Sequence, residues 1–345
     1  MINKIFDNIL DQLESDYLTT VNQQEAEDLM SHFEDKFIEK FSSKNSFKYL
    51  CLRKNKSKHY YLELCYLKLG EWQKDLDDMS SFIKSYIGKQ LILTLSNKVK
   101  SKIDLSNILL NIPITRKESS KEFTYHNDGN PLGSKNLNFS IGIGSYINVE
   151  GRSNGALGAI IKLKHDDNIY LITNFHVIMQ GSKILDEKVF SNNTCVGRTY
   201  WGVNDNKFDV ALAKLDKSIV NNIDYNQSNF GELIKPKIEN KVCKFGPCGP
   251  SSGLIYSSKA VVKIRGGGMY KNQILIEGLH LNPSESGTIV KTNNDNVVGI
   301  HFAGDSKIDV SNNIYDLFKT KIEPYTDQNG TKYPKIEFET FINKN

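Results

Sequence analysis

Cysteine is too scarce and too unevenly placed in this chain to staple a fold. The five residues, Cys51, Cys65, Cys195, Cys243 and Cys248, are an odd number without a framework spacing. That excludes a disulfide scaffold and fits a reducing compartment. No second Cys/His pair at a zinc-ligand spacing accompanies Cys243 and Cys248, so buried free thiols are expected, with no metal and no organic cofactor. Long apolar runs are missing too: none approaches the ~20 residues of a membrane helix, which argues against a membrane-spanning protein. The opening stretch, MINKIFDNILDQLESDYL, carries acids inside its apolar pattern, unlike a signal or transit peptide, so a cytoplasmic location is expected. Charge of one sign is also lacking. With 44 basic and 40 acidic residues the net charge is +4, too little to imply nucleic acid or an anionic membrane as partner.

What is present suits a soluble globular protein of two domains: 345 residues, 39% hydrophobic and 24% charged. Residues 2–18 and 22–41 place apolar side chains at spacings of three and four, predicting two amphipathic helices with acidic outer faces. The sequence then turns basic around Asn55-Lys56-Ser57, with alternating Tyr, Leu and Cys positions that predict two strands. A helix is expected from Glu71 to about Ile87 and a strand from Leu91 to Leu95, giving an α+β domain over 1–115. The stretch 116–138 is polar and punctuated by Asp128-Gly129-Asn130-Pro131, which is linker composition. Residues 139–345 follow as a domain of short strands broken by glycines. Gly266-Gly267-Gly268 lacks the lysine-serine helix start of a phosphate cradle and is expected to be a connecting loop. The C-terminal KYPKIEFETFI fits either a strand or a short helix.

Three places in the second domain carry chemistry. LNPSESGTIVKTNNDNVVGIHFAG, residues 281–304, reads as a tight turn ending in Ser286-Gly287, then two strands joined by an Asn/Asp hairpin. Upstream, YLITNFHVIM delivers His176 at the end of an apolar strand, and NKFDVALAKLD opens an alternating strand with Asp209. Asp205 and Asp216 compete for a role beside the histidine, but one lies in a polar turn and the other beyond the strand. A serine needs a base to take its proton, and the imidazole needs a carboxylate to hold its tautomer, so this set is chemically sufficient for nucleophilic catalysis.

From residue 139 to 325 the chain resembles the trypsin-like peptidases of the chymotrypsin fold, bacterial members above all. TNFHV is similar to their motif around the general base, FDVALAKL to the strand of the orienting aspartate, and NPSESGTIV to the nucleophile turn. KFGPCGPSSGLIYSSKAVV is similar to the strand pair that precedes it. The resemblance implies an all-β, two-barrel domain with His176, Asp209 and Ser286 catalytic. It also implies an oxyanion hole from the backbone N–H groups of Ser284 and Ser286. The family usually has glycine where Ser284 stands, and Glu285 replaces an aspartate or asparagine; a serine there takes a positive φ only at a cost.

"Gly-Ile-His" at His301 resembles the glutamyl endopeptidases and picornaviral proteases. It implies a pocket of His301, with His280 and Gly304, that selects glutamate or glutamine. A structural role for His301 stays open beside it. The expected partners are a protein or peptide substrate and a protein activator at the N-terminal domain, with no nucleic acid and no membrane. Resemblance to peptidases joined to accessory domains extends this to a stress or phage-defence effector. Two other readings stand beside the peptidase: a pseudoprotease that holds peptides in an inactive cleft, and an autoprocessing protein cut at Glu118 or Glu122.

Overall fold

The computed structural model describes residues 23–54, 60–98, 114–125, 141–152, 154–179, 185–224, 230–282, 284–319, 321–327 and 330–342. The expected helix at 2–18, the turn at 55–57 and most of the expected linker lie outside them. In chain order the elements are α1 (Gln23–Phe41), β1 (Phe47–Lys54), β2 (Tyr60–Leu67), α2 (Trp72–Lys98), β3 (Ile114–Ser119), β4 (Thr124–Tyr125), β5 (Ile141–Gly142), β6 (Tyr146–Val149), β7 (Gly155–Ala156), β8 (Ala159–Leu163) and β9 (Ile169–Thr173). There follow α3 (Phe175–Ile178), β10 (Lys188–Ser191), β11 (Thr194–Asn204), β12 (Asp209–Leu215), α4 (Lys217–Val220), β13 (Ile223–Asp224), β14 (Lys241–Gly246), β15 (Gly249–Ile264) and β16 (Gly268–Glu277). The chain closes with β17 (Ile289–Thr292), β18 (Val297–Gly304), β19 (Ile308–Asn312), α5 (Tyr315–Lys319), β20 (Tyr325–Thr326), β21 (Lys332–Tyr333) and β22 (Phe338–Phe341). The expected class, an α+β part followed by an all-β two-barrel part, is what the chain folds into.

Two compact units divide the molecule: residues 1–122 with 257–272, and residues 123–256 with 273–345. In the first unit, α1 buries Ala26, Met30, Phe33, Phe37 and Phe41 along one face. The rings of Phe37 and Phe41 pack on Phe82 of α2, with centroids 6.2 and 5.5 Å apart. Strand β1 is the unit's central strand, paired antiparallel with β2 on one side and with Ala260, Val261 and Val262 of β15 on the other. Its first six residues are buried whichever way they point, as a strand covered on both faces requires. β3 pairs parallel with β2 and presents Arg116, Lys117 and Glu118 at the edge, charges that discourage further pairing. Residues 116–119, expected within the linker, are thus part of a strand. Glu118 there pairs with Lys68 at 2.8 Å, and Glu122 lies 3.8 Å from Arg265.

The strand expected at Leu91–Leu95 is instead the continuation of α2 to Lys98. A five-residue apolar run does not distinguish strand from helix, and a helix already nucleated propagates through leucines at little cost. Gly266-Gly267-Gly268 forms the expected connection: it is the turn between β15 and β16, with Gly266 and Gly268 at φ +76° and +92°.

The second unit holds two β systems. The first is an eight-stranded sheet in the order β22-β8-β9-β12-β11-β10-β6-β7. β7 and β8 stand at or next to opposite ends of that order, yet only Leu157 and Gly158 separate them in the chain. Three residue steps reach about 10 Å at most, so the sheet must curl until its ends approach. In the second system the pairings run β14–β17–β18–β19–β16–β15 and back to β14, a closed ring of six strands. Trp201, Tyr170, Ile160 and Leu212 fill the first core, and Val242, Ile274, Val290 and Val298 the second. The C-terminal KYPKIEFETFI contributes β22, which pairs with β8.

Candidate active site

β9 and β12 are neighbours, with Thr173 opposite Ala211. Asp209, two residues earlier in β12, therefore lies beside the chain that leaves the end of β9. That chain forms α3, a single helical turn, so His176 sits on a helix just past the strand and not on the strand itself. The imidazole Nδ1 lies 2.6 Å from Asp209 Oδ2, and the backbone N–H of His176 donates to Oδ1 at 3.1 Å. Both side chains are fully buried. A carboxylate only accepts, so Nδ1 carries the proton and Nε2 presents its lone pair. Nε2 is buried and has no hydrogen-bond partner among the described residues.

Asp209 is held at its backbone as well. Its N–H donates to Asn312 Oδ1 at 2.9 Å, and its carbonyl accepts from Asn174 Nδ2 at 2.7 Å and from Asn312 Nδ2 at 3.1 Å. Asn312 ends β19 and so ties the second β system to the aspartate. Asp205 instead closes its own turn, accepting from the N–H groups of Lys207 and Phe208 at 2.7 Å each. Asp216 starts α4, beyond the strand.

Ser286 is fully buried in the turn before β17. Its backbone carbonyl accepts from Ala156 N–H at 2.7 Å, and the N–H of Gly287 donates to His301 O at 2.9 Å. Only glycine suits position 287: φ is +101°, and a Cβ would stand 2.3 Å from Thr173 Oγ1. The Ser286 hydroxyl donates to Phe302 O at 3.1 Å. Ser284 adopts φ +72°, the left-handed conformation that favours glycine.

Between the two serines, Glu285 is fully buried and ion-paired with Lys244 of β14, itself 2% exposed. The other carboxylate oxygen accepts from the Asn282 N–H at 2.7 Å. A Cβ at Gly246 would stand 2.5 Å from the Glu285 carboxylate, so β14 must be bare there. The turn is thus anchored from beneath by a charge pair spanning 41 positions of sequence.

His301 is fully buried on β18, opposite Ser311 of β19. Gly304 is the last residue of β18 and lies opposite Asp309. His280 is exposed, at φ +50°, and so differs in setting from His301. Burial pushes the Asp309 carboxyl up to about 7, although backbone N–H groups of Leu281 and His280 bond to it and oppose the shift. Asn312, Lys244 and Asp309 went unnoticed in the sequence. The signal for Lys244 is a charge flanked by the apolar Cys243 and Phe245 within β14.

No known family model matches the chain, and no curated protein matches it. Among solved structures it is similar to Thermobifida fusca protease A, with 14% identity and a TM-score of 0.42 over 52% of this chain and 95% of that one. It is also similar to Cellulomonas bogoriensis chymotrypsin, with 16% identity and a TM-score of 0.41 over 52% and 95%. A third is a glutamic-acid-specific serine protease that uses a histidine triad in substrate binding, with 13% identity and a TM-score of 0.42 over 52% and 96%. Among the described residues no group of three or more His, Cys, Asp or Glu could hold a metal ion, and no helix is long and apolar enough to cross a membrane.

Proposed function

We propose that the chain is a serine endopeptidase of the chymotrypsin-like type, with Ser286 as nucleophile, His176 as general base and Asp209 as its orienting carboxylate. One observation carries the reading: a buried imidazole bonded through Nδ1 to a buried aspartate, with Nε2 left as an acceptor without a partner among the described residues, in the unit that holds Ser286. A solvated or merely structural histidine has no need of that arrangement. On turning about χ1 from Phe302 O toward Nε2, Ser286 would pass its proton to His176 as Oγ attacks a peptide carbonyl. The tetrahedral intermediate then expels the amine, protonated by His176, and water hydrolyses the acyl-enzyme by the same base. The N–H groups of Ser284 and Ser286 would take the oxyanion, a role the left-handed conformation of Ser284 serves. His301, a buried imidazole on the strand after the nucleophile, suits a glutamate or glutamine side chain through a hydrogen bond.

A fluorophosphonate probe tests the reading. Wild type is expected to be labelled, and Ser286→Ala and His176→Ala are not. Absence of labelling in wild type would favour a module that holds peptides without cutting them, a reading to which the Ser286–Phe302 hydrogen bond also lends itself.

A further inference from the structure

β18 is paired unevenly along its two edges. β19 covers one edge from Ile300 to Gly304, while β17 covers the other only from Val297 to Ile300. Past Ile300, the edge that β17 leaves is taken by β4: Tyr125 pairs antiparallel with Ala303, and Thr124 with Gly304. Two residues make a strand too short to stand by itself, so side chains must help to hold it. The Tyr125 ring lies 4.4 Å from the His176 imidazole and 6.4 Å from the Phe302 ring, measured between centroids. Phe123 is completely buried.

Resting on the peptidase reading, we propose that Phe123–Tyr125 is the chain's own occupant of the edge on which an extended peptide would dock, and that such a peptide must displace it. An extended peptide adds to a sheet by pairing with an open edge, drawing affinity from main-chain bonds and specificity from alternate side chains. To bring a carbonyl within about 3 Å of Ser286 Oγ, a peptide must run beside Phe302, whose carbonyl now holds that hydroxyl. The next two residues, Ala303 and Gly304, are where its preceding residues would pair. Two strands cannot share those groups. With β4 in place the Ser286 residue and the His176 side chain are both 0% exposed, so neither meets an incoming peptide. The occupant also describes the ligand class: an extended segment with an aromatic side chain set against the imidazole.

The test has two arms. In the first, fluorophosphonate labelling rates of wild type, Tyr125→Ala and Thr124→Pro are compared. Thr124 is exposed, so its proline variant disturbs pairing without emptying a core, and unchanged melting temperatures would establish that both variants fold. In the second, a fluorescein-labelled peptide Lys-Glu-Phe-Thr-Tyr-His is titrated, by anisotropy, into Ser286→Ala and into Ser286→Ala/Tyr125→Ala. Displacement of an occupant predicts about a tenfold gain in labelling rate and in peptide affinity, since the lost aromatic contact is no longer in competition. Equal rates and equal affinities would overturn the proposal while leaving the peptidase reading intact. No labelling of any protein, together with a gain in peptide affinity, would sink the peptidase reading and support the occupancy.

Discussion

Ser284 is the residue at which chemistry and conformation pull hardest against each other. Its φ of +72° is a region where a Cβ crowds the backbone, at a cost of about 1–2 kcal/mol that glycine avoids. Replacing it by alanine or by glycine removes the hydroxyl in both cases and leaves the Cβ as the difference. Ser284→Gly is therefore expected to be more stable than Ser284→Ala by about 1 kcal/mol, read from urea midpoints at equal m-values. Equal midpoints would mean that the turn relaxes freely and that no strain is held there. Gly287 marks the opposite case, because close approach of Thr173 and Ala156 forbids any side chain.

Among the elements, β14 is tied to the candidate nucleophile turn through Lys244 and Glu285. Removing one partner of a buried ion pair strands the other charge, at a cost of about 3–5 kcal/mol. Lys244→Met is expected to lose stability on that scale, and Lys244→Met/Glu285→Met to recover part of it, as denaturant unfolding of the three proteins would measure. A loss below about 1 kcal/mol for the single variant would show that solvent reaches the carboxylate and that the pair does not anchor the turn. This element also shows what a sequence conceals. The ends of β9 and β12 are written locally, because each is a place where an apolar run stops at a polar side chain, so His176 and Asp209 stand out singly and can be paired by the chemistry they share. The contacts of Lys244 with Glu285, and of Asn312 with Asp209, are set by which strands lie side by side. No local pattern carries that. β10 and β11, with Lys, Thr and Asn among their residues, give a weaker alternation than β12 and left no expectation. α2 swallowed a run that reads equally well as a strand, since short apolar runs fit either period.

At the scale of the molecule, the polar stretch at 116–138 gives the expectation of two parts, but nothing in the sequence marks the composition of the first compact unit. Residues 257–272 belong to it, although they follow β14 in the chain. Val261 and Val262 are fully buried and pair with Leu50 and Tyr49 of its central strand. A fragment of residues 1–122 leaves that edge of β1 unpaired and its apolar side chains uncovered. It is expected to show no cooperative thermal transition by circular dichroism, whereas the same fragment extended through a flexible linker by residues 257–272 is expected to show one. A sharp transition in the shorter fragment would mean that the hairpin is dispensable to the unit.

The strand Phe123–Tyr125 has a consequence for concentration. A separate inhibitor falls away on dilution, but a segment of the same chain meets its docking edge at an effective concentration of about millimolar whatever the protein concentration. Dilution would therefore not uncover that edge. A peptide in solution competes against that local concentration, so it must be supplied near it or bind more tightly, unless another event draws the segment off its edge.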